Sequence, residues 1–357
     1  MTALIVVMTL VFVGVIVPLF PPNRRREIQE IVSDLEVLKL DPKYTKAAET
    51  NIRFFKAARS IFTFIHWLIF VAPKLRKDRA SLLELGDLPL EKWQMRGYEG
   101  LTKIEKHKFG GIMFTGFIKE LYQIILKMKE SRNNNEAAVM LDLGFGGGEL
   151  GRRLFRKLND VPLVYIGIDI TPANIEVAKQ CFKPLHEKGE IVFKELTIVS
   201  DEVIDALRRG ANDASKKVVA VWLGNVFDLD KHVSAGKIDI ICHSRVLHHI
   251  EPVDRPRLVD ICQKLSPITV EMEDCYRLSF LFWATVVMWL IYPNVALMNG
   301  GILSCLRDPA KEELTGYFKL VPPFSYVRLI LGQNVYCHNE QWETARKTLI
   351  TGFSFVD

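Results

Sequence analysis

The run Asp142-Leu143-Gly144-Phe145-Gly146-Gly147-Gly148-Glu149-Leu150-Gly151 holds the clearest chemistry in the chain. An apolar stretch precedes it and a helical pattern, residues 152–158, follows. Glycines let a backbone come within contact distance of a ligand, and a helix start points bare N–H groups at it. Capture of a small polar molecule by the main chain is the expected chemistry. A second acid, Asp169, ends the apolar run 163–168 and can accept both hydroxyls of a ribose. Ile170 follows it, and Thr171-Pro172 is a good helix start. Residues 218–230 carry a further turn, Gly224-Asn225-Val226, in which the Asn225 amide oxygen can accept from an exocyclic amine. Another strand-like run ends in Ser244-Arg245-Val246-Leu247-His248-His249-Ile250. There His248 or His249 can act as a base near neutral pH, or simply close a pocket and cap a helix. Glu271, Glu273 and Asp274 fall at the carboxyl end of one more run, where open α/β sheets bind ligands.

Asp142, Gly144, Gly146 and Gly148 stand in the register D-x-G-x-G-x-G. The stretch resembles motif I of the class I S-adenosylmethionine-dependent methyltransferases. The resemblance extends over residues 138–275 and 340–356. It implies S-adenosylmethionine as cofactor, bound by Asp142, Gly144, Gly146, Gly148, Ile170 and Ser244. It gives Asp169 the ribose, and gives Asn225 and Val226 the adenine. Asn225 departs from the acid that the family carries at this turn. A sulfonium already holds an activated methyl group, so no metal is expected, and His248 and His249 are the candidate bases. Gly146, Gly148 and Gly151 also satisfy G-x-G-x-x-G, which keeps a nicotinamide-dependent oxidoreductase open. Asp142 and the 244–250 loop argue against it. A protein methyltransferase and a non-catalytic membrane scaffold stay open too; the intact glycines and Asp169 argue against the scaffold.

These residues need a scaffold that delivers several loops to one place. Short β-branched runs at 138–143, 163–169, 218–223, 237–243 and 267–273 alternate with helical patterns, which predicts βαβ units and a parallel sheet. The expected fold class is therefore α/β: the Rossmann-like fold of the resembling family, a mainly parallel sheet flanked by helices, with an N-terminal helical, membrane-associated extension. Residues 187–216 read as a mostly helical surface insertion. Residues 341–349 and 352–356 read as the last helix and sixth strand, which leaves the family's seventh, antiparallel strand missing.

Residues 3–20 carry no charge and are long enough to cross a bilayer; Arg24, Arg25 and Arg26 follow. No basic segment precedes the run and no small-x-small site follows it, so an uncleaved anchor is expected. The arginines put the rest of the chain in the cytoplasm by the positive-inside rule. Residues 27–60 read as an amphipathic helix burying Ile28, Ile31, Leu35 and Leu38, and 61–72 as an in-plane or buried helix with His66 packed inside it. Residues 80–135 read as a helical approach interrupted at Gly110-Gly111. The expected division is an anchor at 1–22, a helical membrane-proximal region at 23–135, and a methyltransferase domain at 136–357 with an apolar insertion at 277–336. Within that insertion, residues 278–306 hold two tryptophans, Trp283 and Trp289, in a long apolar run. A re-entrant hairpin or a lid over an apolar acceptor is expected there, loosely as in quinone and small-lipid methyltransferases.

The expected partners are thus the lipid bilayer and an apolar small-molecule or lipid acceptor. A net charge of +5, placed mainly beside apolar runs, suits an anionic membrane surface better than nucleic acid, and no nucleic acid is expected. The six cysteines form no C-x-x-C pair, which favours reduced core thiols over zinc or redox chemistry.

Overall fold

The computed structural model describes residues 22–59, 61–71, 108–131, 136–158, 161–214, 217–274, 311–317, 319–321 and 333–338. Isolated positions at 92, 95–97, 99–100, 299–301, 304 and 309 are described as well. The expected anchor at 3–20, most of 278–306, and the expected last helix and strand at 341–356 lie outside the described residues. The chain divides into two compact units, residues 1–104 with 275–308, and residues 105–274 with 309–357.

In the first unit, α1 (Pro22–Leu38) and α2 (Thr45–Ala57) pack together. Ile28, Ile31 and Leu35 are buried, as are Ala48, Ile52, Phe54 and Phe55 on α2. The single helix expected over 27–60 is thus two helices. The break comes at Asp41-Pro42: proline disfavours a helical residue before it, and the Asp41 carboxylate accepts from the Lys43 N–H at 2.9 Å. A short α3 (Ile61–His66) runs into a π-helical turn, Trp67–Val71. Phe54, Phe64 and Trp67 form an aromatic cluster, with Phe64 and Trp67 stacked at 6.2 Å. His66 is exposed beside Phe70 rather than packed inside. Among the described residues, no helix is long and apolar enough to cross a membrane.

The second unit is a sheet with helices on it. Its elements are α4 (Lys108–Ser131), β1 (Ala138–Leu143), α5 (Glu149–Lys157), β2 (Leu163–Asp169) and α6 (Pro172–Glu187). They continue through β3 (Ile191–Leu196), α7 (Asp201–Ala214), β4 (Lys217–Leu223), β5 (Ile240–Ser244), α8 (Arg255–Leu265) and β6 (Thr269–Asp274). The described part closes on α9 (Lys311–Tyr317), β7 (Lys319–Val321) and β8 (Gln333–His338). Strand order is β3-β4-β2-β1-β5-β6-β8-β7. The first six strands are parallel, while β8 is antiparallel to both β6 and β7.

Every residue of β1 and β2 is buried, which is why these strands read as continuous apolar runs. Helices α4, α5 and α6 cover one face. Phe117, Leu121, Ile125, Leu154, Phe155 and Phe182 meet Met140, Tyr165, Ile240 and Cys242 there. Cys181, Cys242 and Cys262 are buried thiols outside any disulfide.

Three further expectations need correction. Gly110 and Gly111 lie inside α4 instead of interrupting the helical run. Residues 187–216 contain a strand, β3, that extends the sheet beyond β4; only its first residue is buried, so it lacks the apolar run that marks its neighbours. The antiparallel strand is present: β8 pairs with β6 from Thr269↔His338 to Asp274↔Gln333, at the end of the stretch read as insertion.

Candidate active site

Strand order reverses around β1, which has β2 on one side and β5 on the other. Ligands of open α/β sheets bind at such a point, beyond the carboxyl ends of the strands. The glycine turn leaves β1 here, and the 244–250 loop leaves β5 beside it. Gly144, Gly146 and Gly148 all have φ between +56° and +75°, a region that side chains rarely adopt. Gly148 is the N-cap of α5. The two loops touch: a Cβ at Gly144 would lie 2.8 Å from Val246 Cγ2. Gly151 has a different task. A Cβ there would stand 2.6 Å from Tyr165 Cζ, so its absence lets the ring lie under α5.

Asp169 ends β2 and ties the region together. Its Oδ2 accepts from the Gly146 N–H at 3.1 Å and from Asn174 Nδ2 at 2.9 Å, and its Oδ1 from the Thr171 N–H at 2.9 Å. Its carbonyl accepts from the Gly224 N–H at 3.0 Å, which brings in the turn after β4. Burial raises its pKa; the Thr171, Asn174 and Gly146 donors and the field of His249 oppose that rise. The neighbouring side chains are apolar and open: Ile170 is 63% exposed, and Leu223, in register with Asp169 across the sheet, is 48% exposed. Asn225 is exposed and starts a short 3-10 turn by accepting from the Phe227 N–H at 3.0 Å, with Val226 buried behind it.

Asp142 is buried beneath the glycine turn, where the Tyr165 hydroxyl donates to its Oδ2. Desolvation pushes its pKa up to about 7, against the opposing hydrogen bonds from Tyr165 and Cys242. Ser244 closes β5 half-buried. Next to it, Arg245 takes a left-handed φ of 59° and donates its N–H to Met272 O at 2.7 Å. A non-glycine residue in that region stores strain of a kind that clusters at functional loops. The two histidines divide: His248 is buried, His249 is exposed, and their rings lie 4.3 Å apart. Glu271 is buried against His243 across β5 and β6, while Glu273 and Asp274 pair by backbone with β8. Asn174, Tyr165 and His243 carry no sequence signal, because each acts through a neighbour supplied by the fold. Among the described residues no group of three metal-ligating side chains comes together.

The space above Gly146 is open. A Cβ there would meet nothing within 4 Å. Gly146→Ala is therefore expected to cost only about 1–2 kcal/mol of stability, the penalty for a left-handed alanine. Ligand binding at the turn should fall much further, because the added methyl occupies the approach. Gly151→Ala, which collides with Tyr165, should instead lower the melting temperature markedly. Melting curves and calorimetry on the two variants check this contrast.

No family model and no curated protein matches the chain. Among solved structures, it is similar to the bifunctional kinase-methyltransferase WbdD at 13% identity and a TM-score of 0.38. That match covers 63% of this chain and only 39% of the WbdD chain. It is also similar to the magnesium protoporphyrin IX methyltransferase ChlM from Synechocystis PCC 6803, solved with bound SAH, at 11% identity and a TM-score of 0.38. That match covers 68% of this chain and 93% of ChlM. The pyocyanin biosynthetic protein PhzM is similar at 13% identity and a TM-score of 0.41, over 82% of this chain and 72% of its own. Strand order, rather than these distant likenesses, establishes the architecture. Six parallel strands in the order β3-β4-β2-β1-β5-β6, closed by an antiparallel β8 and then β7, with a glycine turn after β1, make this a Rossmann-like α/β fold.

Proposed function

We propose that the chain transfers a methyl group from S-adenosylmethionine to an apolar small-molecule or lipid acceptor at the cytoplasmic face of a membrane. The observation that carries the cofactor is the convergence on Asp169. Its carboxylate reaches the Gly146 N–H, its carbonyl holds the turn after β4, and exposed Ile170 and Leu223 flank it. A nucleoside fits this arrangement: a carboxylate for two hydroxyls, apolar side chains for the faces of a base, and Asn225 at its edge. The open space above Gly146 suits the amino-acid end. Asp142 supports that turn from below through Tyr165.

The cofactor, when bound, supplies an activated methyl on a sulfonium; the C–S bond breaks and its electron pair stays on sulfur. The residues of the chain hold an acceptor in line with that methyl and exclude water, which supplies most of the acceleration. Exposed His249 is the group suited to take the proton from a phenol or alcohol. Buried His248 packs behind it. The apolar acceptor and the membrane tether rest on the apolar runs 3–20 and 278–306.

Membranes carrying the chain, incubated with methyl-labelled S-adenosylmethionine, test the reading. Label is expected in the organic extract. Label confined to protein would replace the lipid acceptor by a protein one. No label, with no S-adenosylmethionine binding by the purified chain, would sink the methyltransferase reading. Deleting residues 1–22 should release much of the protein from membranes; full retention would overturn the tether.

A further inference from the structure

Helix α8 begins at Arg255, a charged side chain only 1% exposed. Its Nε donates to the carbonyls of Leu247 at 2.9 Å and Ile250 at 3.1 Å. Its Nη1 donates to Glu313 Oε1, on α9, at 2.7 Å. The two carbonyls bracket His248 and His249. The same turn is closed from within, by the His249 N–H to Val246 O at 2.9 Å and the Ile250 N–H to Leu247 O at 3.1 Å. It starts at Arg245, in a backbone conformation that persists only where surrounding contacts over-determine it. A buried guanidinium is tolerated when a carboxylate faces it and its donors are used, and both hold here.

We propose that Arg255 and Glu313 form a positioning clamp that holds the histidine turn against the glycine loop. Through it, the segment returning to the sheet at α9 sets the placement of His249. The inference rests on the reading of His249 as the group that serves the acceptor. Arg255 and Glu313 touch neither cofactor nor acceptor; they act through the turn. The planar fork of arginine reaches two carbonyls and a carboxylate at once, which a lysine ammonium on a flexible stem does not reproduce.

Hydrogen exchange on the full-length chain in detergent, with S-adenosylmethionine calorimetry and label incorporation, tests the clamp. Arg255→Lys and Glu313→Ala should raise exchange across residues 246–250 about tenfold or more relative to β1 and β2, as expected for local opening. Methyl incorporation should fall with that opening, while cofactor affinity falls several-fold less, since Asp169, Asn225 and the glycine turn lie outside residues 246–250. Glu313→Gln keeps an oxygen for Nη1 and should recover most of the protection. Unchanged exchange at 246–250 would overturn the clamp. So would an even loss of protection across the sheet together with cofactor binding, which marks a merely structural pair. If the wild-type chain transfers no methyl group, the proposed function fails, and the exchange comparison still decides the clamp.

Discussion

Asp169→Ala is expected to weaken S-adenosylmethionine binding by about 1.5–3 kcal/mol, roughly tenfold to a hundredfold, the scale of hydrogen bonds to a charged acceptor. Two effects add. The variant loses the acceptor for the ribose, and it also loses the brace that holds the Gly146 and Thr171 N–H groups and Asn174 in place. Asp169→Asn keeps one accepting oxygen and turns its NH2 toward the donors on the other side, so it should fall between wild type and alanine in both affinity and melting temperature. The raised pKa of Asp169 adds a pH dependence. Protonation removes the acceptor, so affinity should drop on acidification, beginning above the ordinary carboxylate range. Calorimetry against S-adenosylmethionine and NAD measures all of this. Tighter binding of NAD, or an alanine variant that binds S-adenosylmethionine as well as wild type, would defeat the assignment.

Asp142→Asn should stabilise the fold at alkaline pH. Burial lifts the Asp142 pKa from 3.8 to about 7. A group whose folded pKa lies above its unfolded value contributes stability that is complete below the unfolded pKa and is lost as pH rises through the folded one. For Asp142 the loss runs from about pH 4 to about pH 7 and amounts to about 4 kcal/mol at full ionisation, at 1.36 kcal/mol per unit. The asparagine amide does not ionise, and its oxygen can still accept from the Tyr165 hydroxyl. The variant should therefore gain about 2–4 kcal/mol over wild type at pH 8, several degrees in melting temperature, and nothing at pH 4. Asp142→Ala leaves the buried Tyr165 hydroxyl without its partner and should destabilise at both pH values. Melting curves across pH 4–8 check the sign. A wild-type curve that stays flat over that window would mean Asp142 ionises freely.

The parts of the site legible in the sequence are those whose signals are local. Burial on both faces writes β1 and β2 as unbroken apolar runs, and these strands occupy 138–143 and 163–169 as their composition indicates. A strand, a glycine turn with an acid two residues before it, and a helix form one continuous stretch, so the turn at Gly144–Gly148 could be read directly. Thr171-Pro172 likewise marks the start of α6. Edge elements were harder to read. β3 has one buried residue, and β8 takes its register from β6, a strand separated from it by a long apolar segment. Neither carries the period that marks a half-buried or fully buried strand.

By itself, then, the sequence determined a parallel α/β sheet, the glycine turn, and the acid at the end of the second strand, because each depends on residues adjacent in the chain. Only the tertiary structure decided that β8 completes the sheet, that Asp142 lies under the turn against Tyr165, and that Asp169 holds Gly146. It alone separated exposed His249 from buried His248, and brought Arg255 to Glu313 across the histidine turn. These outcomes turn on desolvation and on partners distant in sequence. Burial and hydrogen-bond satisfaction are properties of the packed neighbourhood, and neighbouring residue types do not encode them.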